Sequence, residues 1–400
     1  MPTTRNPRSG LCSDLTDEPL PGTAKSGRLT LALEYPHGWG RDILDGEALG
    51  RDLAGRISRY LKANGAQLQF IRRPGRAGQQ VTGPATLFIA DAVGGTLSRL
   101  SIDGPDALPD VDLSTPGAVP GAVRVDHPLL LVCTHGKRDR CCAVKGRPLA
   151  GALAQKYPDL VWESSHTKGH RFAPSMILLP QNYSFGRLDV CGADSLLTEV
   201  LAGRLPLAGN RGRGVFDSAG QVAELAVAGR LAAAGEPVAP GELTVGRPET
   251  AVRPAADAAD AADAADAADT AAAYAAVTAA VDPDLRRRAG ELLAERLEMK
   301  TVGRGRELKQ LKHSDHFRPV AEFQQALREA AAAQGLGRRE KTRENPVVRV
   351  SRGSGAGARS WLVTLESRTC YPVVSSCGDA PKEGRSWTAV DVAEVAPASA

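Results

Sequence analysis

Cys133 and Cys142, followed by His166 and His170 in the run Ser164-Ser165-His166-Thr167-Lys168-Gly169-His170, make a C-x8-C…H-x3-H set between residues 133 and 170. Two soft thiolates and two imidazoles suit either a zinc ion or an iron-sulfur cluster in which histidine replaces cysteine on one iron. Structural zinc sites usually take ligands from tight C-x2-4-C knuckles, because two ligands on one turn fix half the tetrahedron. Eight intervening residues make a wide loop instead. A [2Fe-2S] cluster is larger and needs a ligand pair for each iron, so two separate loops suit it better. The histidines could share a helical face at i and i+4, but Ser164-Ser165 before them, Gly169 between them and Pro174 after them argue for a loop.

The elements that must position these residues can be read from hydrophobic period and turn residues. Leu129 to Val132 is a short apolar strand that ends at Cys133, and Cys133 to Gly146 reads as a polar, basic loop. Pro148 to Tyr157 reads as a helix stopped by Pro158-Asp159, and Leu160 to Trp162 as a strand running into the histidine loop. Met176 to Leu179 and Tyr183 to Leu188 form a hairpin about Pro180-Gln181-Asn182, and Ala193 to Leu205 a closing helix. The order β-α-β-loop-β-β-α is that of a thioredoxin-like domain with its ligands on loops at one end of the sheet. An upstream unit has nearly the same order without the Cys or His set. Leu29 to Leu33, Gln67 to Ile71, Ala85 to Ala90 and Thr96 to Ile102 read as its strands, and Ala48 to Asn64 as its amphipathic helix. That likeness is expected of a decayed duplication, with the first copy as scaffold.

The expected fold class is therefore α/β: a thioredoxin-like ferredoxin domain preceded by a related βαβββ unit, then a helical region and a small β appendage. The expected segments are a flexible arm over 1–27, the scaffold unit over 28–121 and the ligand-bearing domain over 122–235. A low-complexity Ala/Asp/Pro linker covers 236–283, where Ala255 to Asp269 repeats Ala-Ala-Asp; a charged helical region covers 284–343, and a β appendage with Cys370 and Cys377 covers 344–400.

Composition narrows the class. No stretch approaches the ~20 apolar residues of a membrane span, and residues 1–19 are charged, so a cytoplasmic location is expected. Seven cysteines, three of them within ten residues, favour metal or redox chemistry over a disulfide framework. The net charge of +4 gives no case for nucleic-acid binding. It is unevenly spread: between His127 and Asp189 nine Lys or Arg face four acids. A redox partner protein, such as an acidic reductase, would dock against such a surface.

Cys-Thr-His-Gly-Lys-Arg-Asp-Arg-Cys-Cys (133 to 142) and Trp-Glu-Ser-Ser-His-Thr-Lys-Gly-His-Arg-Phe-Ala (162 to 173) resemble the sucrase/ferredoxin-like family. The resemblance covers roughly Arg28 to Leu205. It implies a thioredoxin-like ferredoxin domain carrying a [2Fe-2S] cluster with two Cys and two His ligands, which fall on Cys133, Cys142, His166 and His170. Cys141 competes with Cys142 for one position, Ala143 stands where many members have Gly, and His135 lies close by. Glycoside hydrolysis is not carried over, because no placed pair of carboxylates stands out. The function implied is proton-linked one-electron transfer, with Lys137, Arg138, Arg140, Lys168 and Arg171 adding positive potential. The alternatives are a zinc-stabilised protein-interaction module and, last, a metal-free thiol oxidoreductase using Cys141 and Cys142.

Overall fold

The computed structural model describes residues 11–80, 83–246, 281–301, 316, 318–333, 345–377 and 379–395. The Ala-Ala-Asp repeat lies outside them. Residues 1–251 and 345–400 form one compact unit, and 252–344 a second.

The first half of the large unit follows the expected order. Strand β1 (Leu29–Glu34) leads into α2 (Arg51–Ala63), which follows the short N-terminal α1 (Cys12–Leu15) in the chain, and then into β2 (Ala66–Arg72), β3 (Ala85–Asp91) and β4 (Thr96–Ile102). Alternation along β1 explains its burial on both faces: Leu29, Leu31 and Leu33 point into the core under α2, and Ala32 into the opposite one. After the two-residue β5 (Val123–Arg124), the second half repeats the plan with β6 (Leu129–Cys133), α3 (Arg140–Lys156), β7 (Val161–Ser164), β8 (Ser175–Leu179) and β9 (Tyr183–Gly186). In the first half β1 pairs parallel with β2 and antiparallel with β3, which pairs antiparallel with β4. In the second half β6 pairs in the same senses with β7 and β8, and β8 with β9. Two copies of one topology thus stand in a single chain, as the duplication reading requires.

The copies join edge to edge into one ten-stranded sheet of order β10-β9-β8-β6-β7-β2-β1-β3-β4-β5. The seam is β2 against β7, antiparallel, with Ile71 opposite Ser164 and Arg72 opposite Glu163. There Arg72 Nε donates to Glu163 Oε2 at 2.9 Å, and both side chains are nearly buried. Next to it the Ser165 N–H donates to the Phe70 carbonyl at 2.8 Å, and the Phe70 N–H to Ser165 Oγ at 3.0 Å. The scaffold half therefore holds the start of the histidine loop through its own edge strand.

Helix α3 begins earlier than its sequence suggests. Cys133 to Gly146 reads as a loop and Pro148 as a helix start, yet the helix runs from Arg140 with Pro148 inside it. Asp139 is the reason: in extended conformation it caps the helix, its carboxylate accepting from Cys141 N at 3.0 Å. That cap puts Cys141 and Cys142 in the first turn. Gly146 completes the fit, because a Cβ there would lie 2.0 Å from the Cys133 carbonyl oxygen. Residues 11–27, expected as part of a loose arm, are also built in. Cys12 is fully buried, Thr16 Oγ1 exchanges hydrogen bonds with the backbone of Val374, and Lys145 pairs with Asp14 at 2.5 Å.

The closing helix, α4 (Val190–Leu201), starts at its Asp189 cap. Beyond it, β10 (Asn210–Arg213) adds an edge strand and α5 (Ser218–Ala233) a helix buried nearly all round. One side of α5 packs on the large sheet. The other is covered by a four-stranded antiparallel sheet of β11 (Leu243–Val245), β12 (Val347–Arg352), β13 (Arg359–Val373) and β14 (Lys382–Val395), whose Val348, Val350, Trp361, Val363 and Leu365 share the same core. The expected C-terminal strands are all present, lengthened, with β11 added to them. In the second unit α6 (Pro283–Thr301) packs on α7 (Arg318–Ala333) within the expected helical region, of which residues 302–315, 317 and 334–343 lie outside the described residues.

Glu224 on α5 carries a testable consequence. Its carboxyl accepts from the Tyr183 hydroxyl at 2.7 Å and lies 3.9 Å from Arg213, and burial pushes its pKa up to about 7. A folded value above the unfolded one means that stability is complete below about 4.5 and is lost as pH rises through about 7. We expect the folded protein to lose about 3 kcal/mol across that window, and Glu224→Gln to remove most of the loss. Urea unfolding at a series of pH values reads this directly; a Gln variant with the parental pH slope would refute it.

Candidate metal centre

Cys133 is the last residue of β6 and is fully buried. Burial alone would push its thiol up. Against it act the neighbouring Cys142 thiol, the backbone at His135 and Thr167 and the Thr167 hydroxyl, which together leave its pKa below the usual value. Cys142 is the partner proton carrier: donation to Cys133 and burial push its own pKa up. The two predicted thiols are thus neighbours, and the surroundings of Cys133 favour its thiolate form.

His166 and His170 form a second pair. His166 Nε2 and His170 Nδ1 lie 2.7 Å apart. The other ring nitrogens are engaged: the Lys168 N–H donates to His166 Nδ1 at 3.1 Å, and His170 Nε2 hydrogen-bonds the Ser375 carbonyl from the loop after β13. The Ser375 carbonyl fixes the His170 proton on Nε2 and leaves Nδ1 as its ligand atom. His166, accepting at Nδ1, carries its proton on Nε2 and donates it to His170 Nδ1, a proton that moves off Nε2 if that atom is to bind a metal. Burial, then the neighbouring His170, Arg138 and Lys168, lower the His166 pKa to about 3; burial also lowers that of His170, against the pull of Asp139. Both rings are neutral at pH 7, as ligation requires. Thr167, between the histidines, helps to lower the Cys133 pKa, so the two predicted pairs have that residue as a common neighbour. A cavity of about 210 Å³ reaches His166, lined also by Lys25, Gln69, His135, Ser165 and Lys168. His135 itself hydrogen-bonds Gly40 O at 2.6 Å and the His166 N–H at 3.2 Å, a positioning role.

A further group was not legible in the sequence. Cys12, Cys141 and Cys377 converge with Asp139, their ligand atoms all within 4.8 Å of one another, the one such group of three or more among the described residues. Cys141 Sγ lies 3.3 Å from Cys12 Sγ and 3.2 Å from Cys377 Sγ. His170 Nε2 is 3.9 Å from Asp139 Oδ2, so the histidine pair borders this group as well. The adjacent cysteines thus serve two places: Cys142 meets Cys133, and Cys141 meets Cys12 and Cys377. Cys12 and Cys377 stand 129 and 236 residues from Cys141 in the chain, and no local spacing could have linked them.

Thiol pair, imidazole pair and the two half-sheets that hold them all fall inside one stretch of relatedness. Over residues 20–212 the chain matches the sucrase/ferredoxin-like family. No curated protein and no solved structure matches the chain. The sucrase/ferredoxin-like segment contains Cys133, Cys141, Cys142, His166 and His170, whereas Cys12 and Cys377 lie outside it. Among the described residues no helix is long and apolar enough to cross a membrane.

Proposed function

We propose that this protein is a one-electron carrier whose centre is a [2Fe-2S] cluster, with Cys133 and Cys142 on one iron and His166 and His170 on the other. The observation that carries the reading is the pairing itself: a buried thiol pair and a neutral imidazole pair, with Thr167 as a common neighbour. Such a donor set fits the cluster, because soft thiolate and imidazole are its ligands and each pair serves one metal. When bound, the cluster supplies reversible one-electron redox chemistry.

The chain's own residues set the conditions. The Ser375 carbonyl holds His170 in the tautomer that presents Nδ1. Each imidazole has a second ring nitrogen beyond its ligand atom, at which a proton can be held or released with the electron. Arg138, Lys168 and Arg171 act on the imidazoles with positive potential. Lys137 and Arg171 are partly neutralised by Glu47 and Glu18, and exposed Lys168, beside the histidine pair, is placed to meet an acidic reductase. The test is the optical spectrum of freshly purified protein with iron and acid-labile sulfide analysis. We expect a coloured protein with about two irons and two sulfides per chain. A colourless protein from iron-replete expression would sink the reading.

A further inference from the structure

Cys12, Cys141 and Cys377 come from the N-terminal segment, the first turn of α3 and the loop after β13, and the Asp139 carboxylate lies among them. Cys12, Cys141 and Asp139 are buried and Cys377 is half-buried. As packing alone this is a poor arrangement: three thiols crowd a carboxylate that stays ionised, its pKa lowered to about 2 because donors from Cys377, Cys141 and Ser376 outweigh burial. As a ligand set it is a good one. A tetrahedral ion with sulfur at about 2.3 Å and oxygen at about 2.0 Å sets S···S edges near 3.8 Å and S···O edges near 3.5 Å. The sulfur edges here are 3.3 and 3.2 Å, and Asp139 Oδ1 stands 3.9 Å from Cys12 Sγ and 3.1 Å from Cys377 Sγ. Opening the trio by about half an ångström seats the ion.

The surroundings are those of an oriented site. The Cys141 N–H donates to Asp139 Oδ1 at 3.0 Å. Ser376 Oγ and the Cys377 N–H donate to Oδ2 at 2.8 and 3.1 Å, and the Cys12 N–H points at Cys377 Sγ at 3.5 Å. Such bonds hold ligands in place and leave Oδ1 facing the sulfurs. Ala173 and Val374 complete an apolar wall, so no position stays open for substrate.

We propose that Cys12, Cys141, Cys377 and Asp139 form a mononuclear zinc(II) site that fastens the N-terminal segment and the C-terminal sheet to the start of α3. Three thiolates select a thiophilic cation, and a closed four-ligand shell suits a structural zinc. Binding displaces the thiol protons into solvent. The site closes loops of more than a hundred residues on both sides, where a cross-link restricts the unfolded chain most.

The experiment is elemental analysis of the full chain, purified reduced, as wild type, Cys12→Ser and Cys377→Ser. We expect one zinc in the wild type, at least a tenfold fall in zinc occupancy in each variant, and iron and sulfide content unchanged. On chelator-treated wild type, which needs no substitution, added Co(II) should give a near-ultraviolet thiolate charge-transfer band and raise the melting temperature. Unchanged zinc in both variants overturns the proposal. So does parallel loss of iron and sulfide, which would make these thiols ligands of the iron centre, or a disulfide among the three cysteines in the isolated protein. A chain that holds this zinc and no sulfide supports the zinc site and defeats the iron-sulfur reading, so the two stand or fall separately.

Discussion

Cys142→Ser should cost the protein its visible absorption, with iron and sulfide occupancy falling about tenfold or more, whereas Cys141→Ser should keep the spectrum. The two residues are neighbours in the chain, but successive residues of an α-helix point about 100° apart, so the first turn of α3 can aim one thiol inward and the other outward. Cys142 reaches Cys133 at the end of β6, and Cys141 reaches Cys12 and Cys377. Serine at 142 removes a thiolate from the iron pair and leaves Cys133 without its partner. Serine at 141 leaves that pair intact and removes one sulfur from the zinc site. Absorption spectra and metal analysis of the two variants, side by side, check the assignment. Loss of colour in Cys141→Ser with retention in Cys142→Ser would move the iron ligand to Cys141.

The strands of both halves were legible because their side chains alternate. Leu29, Leu31 and Leu33, or Leu130 and Val132, mark one core and the residues between them mark the other. Their repetition in the same order also exposed the duplicated plan. The start of α3 was not legible, because Pro148 is the stronger sequence signal for a first turn, while the cap that decides the matter is one aspartate in a run of charges. Helix α5 has no polar face to reveal its period, since the large sheet and the small sheet cover opposite sides of it. For the site, Cys133 with Cys142 and His166 with His170 could be read from spacing, because each pair is local. Cys12 and Cys377 could not: nothing near either residue marks it, and only the packing of residues 11–27 and 374–377 against α3 brings them together.

Replacing a predicted histidine ligand by cysteine should lower the potential of the centre. In His166→Cys or His170→Cys a neutral imidazole gives way to a thiolate, which adds one negative charge to the iron shell and stabilises the oxidised form relative to the reduced one. Two-histidine centres lie several hundred millivolts above all-cysteine ones, so each substitution should shift the potential downward by roughly 100 mV or more. Both should also weaken the pH response. Each imidazole brings a second ring nitrogen that can gain or lose a proton with the redox state, and cysteine brings none. Each variant should therefore flatten a slope that approaches about 59 mV per pH unit for one proton per electron. Voltammetry of wild type and both variants from pH 6 to 9 reads potential and slope together. If both variants keep the parental potential, neither imidazole binds iron, and the electron-carrying centre has to be sought among the thiols alone.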